Sequence, residues 1–138
     1  HKNTRHIGIG YLKGYGLKSG AVATSVAHDS HNIICVGTND EDMAFAVNRI
    51  ARNRGGIVVV ENGQVLAELP LEIAGIISGK PLREVNTLLE DAKKAAHALG
   101  VGTDIDPFMT LSFMSLPVIP TLRLTTRGVV DVNTQQYV

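Results

Sequence analysis

Apolar positions recur along this chain in two rhythms. Over residues 40–53, Met43, Ala44, Val47, Ile50 and Ala51 fall three or four apart, which predicts a helix with one apolar face. Thr38 or Asn39 suits its cap, Asp40, Glu41 and Asp42 its first turn, and Arg49, Arg52 and Arg54 its negative end. Gly55-Gly56 stops it. A second helix is predicted over 81–99, where Leu82, Val85, Leu88, Leu89, Ala92, Ala95, Ala96 and Leu99 make one stripe. Pro81 fits its first helical position and Gly100 its end.

Elsewhere the pattern is shorter. GAVATSVA (20–27) and NIICVG (32–37) are apolar runs bounded by turn signals, as buried strands are. Residues 56–71 predict a hairpin, because Asn62-Gly63 is the pair a type I′ turn needs. The glycine-rich 7–17 reads as a strand with close backbone approaches or bulges. In 107–124, Met109, Leu111 and Phe113 alternate with Thr110 and Ser112, which predicts extended structure; Pro117 and Pro120 place its end at a sheet edge or a loop. Residues 127–132 suit a last short strand. The expected class is α+β: a mixed, largely antiparallel sheet of short strands with two main helices, 40–53 and 81–99.

Composition narrows the function. At 138 residues the chain, 1–138, is expected to be a single domain, and 44% hydrophobic against 19% charged residues suits a folded one. Thirteen basic and thirteen acidic groups leave no surplus for phosphate, which argues against a nucleic-acid partner. A single cysteine, Cys35, excludes an internal disulfide and any multi-cysteine zinc site, and it fits a reducing cytoplasm. The most apolar stretch, PFMTLSFMSLPVIP (107–120), has 14 residues and three prolines, whereas a membrane-spanning helix takes about 20 apolar residues. The start lacks both a Met and an apolar signal core, so the chain reads as part of something longer.

Most candidate chemistry has an ordinary explanation. Gly8, Gly10, Gly14, Gly16 and Gly20 meet neither the GxGxxG nor the P-loop spacing. Asn39 to Asp42 are explained by helix capping, Cys35 by core packing, and His97 by a half-buried helix position. His1 and His6 lie at the start of the chain, and Asp104, Asp106 and Pro107 have turn chemistry. The strongest polar group is His28-Asp29-Ser30-His31, between two apolar runs. It suits a ligand-facing role, or a metal with only two imidazole ligands, or a plain tight turn whose Asp29 and Ser30 satisfy backbone amides.

The run VAHDSHNIICVGTNDEDMAFAVNRI (26–50) resembles the C-terminal domain of bacterial adenine deaminases of the amidohydrolase superfamily. So do IGIGYLKGYGLKSGAVATSVA (7–27), GGIVVVENGQVLAELPLEIAGIIS (55–78) and DPFMTLSFMSLPVIPTLRLTTRGVVDV (106–132). The resemblance implies hydrolysis of adenine to hypoxanthine and ammonia at a Mn or Fe centre held by an upstream barrel. That barrel's H-x-H ligand motif is absent from this sequence. The chain is therefore expected to hold no catalytic residue and no cofactor itself. Its expected partners are the upstream barrel, adenine as the whole enzyme's substrate, and further copies in a homo-oligomer. His28, Asp29, Ser30 and His31 become candidates for the substrate pocket. The alternative is an independent, non-catalytic small-molecule or protein-interaction module.

Overall fold

The computed structural model describes residues 6–138. Its centre is a four-stranded sheet in the order β2–β1–β3–β4, antiparallel throughout, built from β1 (Ala21–Thr24), β2 (Ile34–Gly37), β3 (Gly56–Glu61) and β4 (Gln64–Pro70). Side chains alternate across a strand, so each strand feeds two faces. On one face Ala21, Ala23, Val58 and Val60 pack with Ala46 and Ile50 of helix α1 (Asp40–Arg52). On the other, Val22, Ile57, Val59 and Leu69 pack with Ala92 and Ala96 of helix α2 (Leu82–Ala98) and with Leu99. Val58, Val59 and Val60 are all fully buried. A strand covered on both faces keeps no polar side, which is why 57–60 is an unbroken apolar run.

The β3–β4 turn has Asn62 at φ +52° and Gly63 at φ +70°, as a type I′ turn requires. The Asp42 carboxylate fastens it, accepting from Asn62 N (3.2 Å), Gly63 N (2.8 Å) and Asn39 Nδ2 (3.0 Å). Arg49 donates to both oxygens of Glu68 at 2.8 and 2.6 Å, tying α1 to β4.

Helix α3 (Pro107–Met114) adds Phe108 and Leu111 to the α2 side of the core. The chain ends in a second antiparallel sheet of β5 (Leu122–Thr125), β6 (Gly128–Asp131) and β7 (Gln136–Tyr137). The α+β class therefore holds, with three helices and two antiparallel sheets among the described residues.

Four local expectations are corrected. Residues 107–114 are helical, not extended: Asp106 accepts from Phe108 N (3.0 Å) and Met109 N (2.9 Å), and Pro107 occupies the first turn. Residues 7–17 make no strand, although Gly8 does approach Thr125 so closely that a Cβ there would collide with its carbonyl oxygen. The inward face of α1 is Asp42, Ala46 and Ile50, while Ala44 and Ala51 are exposed. Pro81 caps α2 from outside the helix, and Leu82 is 84% exposed.

Candidate functional site

Strands β1 and β2 are paired through Thr24 and Ile34, so residues 25–33 form the connection between them. The main chain itself closes the tight part: His31 N donates to Ala27 O at 2.6 Å, and His31 takes φ +50°. Helix α3 holds one end, since His28 N donates to Ser112 O (3.0 Å) and Ser115 Oγ donates to His28 O (3.2 Å). The His28 ring lies 5.2 Å from that of Phe113 and meets the His31 ring edge-on at 5.5 Å.

Asp29 and Ser30 occupy the exposed tip. Neither satisfies a backbone amide among the described residues; Ser30 Oγ accepts from Asn32 Nδ2 at 2.9 Å. The two side chains are therefore not the closure of the turn. A carboxylate, a hydroxyl and two imidazoles stand together on a tightly anchored connection.

The structure adds groups that spacing does not reveal. Behind the turn lies a cleft of about 400 Å³ whose lining includes Ser25, His31, Ile33, Arg54, Glu72 and Gly75. Ser25 Oγ accepts from Gly56 N (2.7 Å) and donates to Gly75 O (2.5 Å), which pins the 71–79 loop to the sheet. Gly55 and Gly75 touch so closely that a Cβ on Gly55 would collide with Gly75 Cα. The Glu72 carboxylate is held below the usual range by its own and Gly79's backbone N–H, with the Lys80 and Arg54 charges adding to this. Two buried atoms have no hydrogen-bond partner here: His31 Nδ1 and Glu72 Oε2.

The remaining candidates are structural. The Cys35 thiol is half-buried against Met43, and burial pushes its pKa up to about 12. His97 Nδ1 lies 3.1 Å from Val101 O, and Asp106 caps α3. His6 is exposed, and His1 lies outside the described residues. Among the described residues no three of His, Cys, Asp and Glu gather as metal ligands. No helix of the described residues is long and apolar enough to cross a membrane.

The sequence pattern of the adenine deaminase C-terminal domain family matches residues 1–136. An adenine deaminase of Nitratidesulfovibrio vulgaris strain Hildenborough is 53% identical over 138 residues, covering 99% of this chain and 24% of that protein. An adenine deaminase 2 of Carboxydothermus hydrogenoformans is 52% identical over 134 residues, covering 97% of this chain and 24% of that protein. The adenine deaminase of Bacillus subtilis strain 168 is 46% identical over 138 residues, covering 100% of this chain and 24% of that protein. The chain thus spans about a quarter of the length of the curated relatives it matches. With a family match over nearly its whole length and relatives near 50% identity, this chain belongs to the adenine deaminase C-terminal domain family.

Proposed function

We propose that this chain is the C-terminal part of an adenine deaminase, in which adenine and water give hypoxanthine and ammonia. In this reading it packs on a preceding barrel that holds the Mn or Fe, and it turns His28, Asp29, Ser30 and His31 toward the substrate side. None of the steps assigned to this chain passes through the metal. A cytoplasmic enzyme working as a homo-oligomer belongs to the same reading.

The observation that supports a substrate-side role is the division of labour in the 25–33 connection. Its backbone is fixed by His31 N–Ala27 O and by the α3 contacts, which frees Asp29 and Ser30 at the tip. A carboxylate accepts the N–H groups of a purine, and neutral imidazoles donate to or accept from its ring nitrogens. Groups on a rigid connection hold such a ligand without first being ordered.

The experiment compares Asp29→Ala, His28→Ala and His31→Ala in the full-length enzyme. A substrate-side role predicts kcat/KM falling roughly tenfold or more, about 1.4 kcal/mol, at unchanged Tm and metal content. Activity that is retained, or that falls only in step with unfolding, overturns it. The 138-residue chain alone is expected to release no ammonia from adenine with Mn²⁺ or Fe²⁺ present.

A further inference from the structure

The 71–79 loop carries a surface that the substrate role of the turn does not use. Ile73 and Ile77 pair across a tight antiparallel bridge, Ile73 N to Ile77 O at 2.9 Å and Ile77 N to Ile73 O at 3.0 Å. Residues directly opposite in such a pair put their side chains on one face. Ile73 is 49% exposed, Ile77 54%, Ile76 36%, and Ile33 across the cleft 39%. Singly scattered exposed isoleucines are ordinary, whereas Ile73, Ile76 and Ile77 fall within five residues of one loop. Ala74 and Gly75, between the bridged isoleucines, line the cleft directly. His31 and Glu72 line the same cleft, and each also has one buried side-chain atom without a hydrogen-bond partner.

We propose that Ile73, Ile76 and Ile77, with Ile33 of the adjoining cleft, seat the part of the adenine deaminase chain that precedes this domain. This rests on the adenine deaminase reading. Two observations select the occupant. The relatives carry about three quarters of their length beyond the region matched, so a large partner belongs to the same chain. The loop is held ready, with Ser25 Oγ on Gly75 O and Gly79 N on Glu72 Oε1 at 3.0 Å. His31 also belongs to the 28–31 turn, so docking at the cleft puts that turn at the junction with the preceding part.

The test uses the full-length enzyme with Ile77→Cys and, separately, Met109→Cys, a position 54% exposed on α3. Each is labelled with a water-soluble maleimide and read peptide by peptide by mass spectrometry, native against urea-unfolded. Protection of the Ile77→Cys thiol by at least tenfold, unchanged on dilution and without adenine, is the expected result. A short cross-linker from that thiol is expected to capture a peptide from the preceding part. Fast labelling of Ile77→Cys with protection of Met109→Cys overturns this surface while leaving domain packing intact. Fast labelling at both positions overturns packing as well. Protection that disappears on dilution identifies a second copy as the occupant, and protection that needs added adenine identifies a small-molecule site; each overturns the inference. Hydroxyl-radical footprinting of Ile73, Ile76 and Ile77 in the unsubstituted enzyme gives the same reading with no variant.

Discussion

Removing one hydroxyl, in Ser25→Ala, tests how the candidate site is held together. Ser25 is 5% exposed and lies just beyond β1, where Ser25 N still donates to Gly56 O at 2.9 Å. The answering N–H of Gly56 goes to the Ser25 hydroxyl at 2.7 Å, and that hydroxyl donates onward to Gly75 O at 2.5 Å. The substitution leaves the buried Gly56 N–H without a partner, which costs about 1–3 kcal/mol. The Gly75 carbonyl is nearer water and adds less, about 0.5–1 kcal/mol. The expected loss is about 2–3 kcal/mol, or roughly 10 °C in Tm for a domain of this size. Urea melts of Ser25→Ala and the parent chain measure it, with Thr38→Ala as the control. The Thr38 hydroxyl reaches Gly20 O only at 3.4 Å on an exposed residue, so its removal is expected to change stability by less than about 0.5 kcal/mol. Hydrogen exchange adds a local reading, since amides of 72–79 should open more easily than those at the centre of β3. A Ser25→Ala loss below about 0.5 kcal/mol at unchanged m value would refute the claim that this hydroxyl fastens the loop.

Three further outcomes follow from the same contacts. Leu111→Ala, at 1% exposure, is expected to cost about 2–5 kcal/mol, while Met109→Ala, at 54%, stays within about 0.5 kcal/mol; similar losses at both would favour an extended 107–113 with these side chains on one face. Asp42 is held below the ordinary aspartate range by the Asn39 side chain and the Gly63 and Asn62 N–H groups, so its carboxylate adds stability above that range and the gain is lost as pH falls. Asp42→Asn should therefore flatten the loss of stability between about pH 5 and 3, and parallel acid limbs in paired melts would contradict this. With its pKa pushed up to about 12 by burial, Cys35 should react with a maleimide at pH 8 at least tenfold more slowly in the folded chain than in urea.

Elements whose signals are local could be read from the sequence, and α3 shows where such reading divides. Asn62-Gly63 needs only two left-handed residues to specify its turn, and the structure supplies both. The stripe from Val85 to Leu99 extends over four turns, long enough for a helical period to dominate. In 109–113 the window is five residues, too short to separate a period of two from one of 3.6. The deciding signal was the Asp106-Pro107 start, because Pro107, Phe108, Leu111 and Ser112 then bury at helical spacing. The α1 face was hidden differently. Its inward positions include Asp42, whose polarity is met by the hairpin turn, and Ala46, whose small size suits a helix lying against Ala21 and Ala23.

The candidate site divides along the same line. His28 to His31 are contiguous, so their chemistry shows in the sequence. Arg54 and Glu72 belong to a helix end and a loop 18 positions apart, and neither spacing nor residue type joins them to His31. What joins them is backbone contact. Gly55 and Gly75 meet where no side chain fits, and Ser25 bridges the strand to the loop from a third segment. The meaning of each glycine depends on the other being opposite, so a single sequence presents them only as a helix stop and a turn. Glu72 follows the same logic: Oε1 finds Gly79 N within its own loop, while Oε2 is buried without a hydrogen-bond partner. A polar group that local structure satisfies can be anticipated from neighbouring residues. One that the whole fold buries without a partner, as it does Glu72 Oε2 and His31 Nδ1, shows only once the fold is assembled.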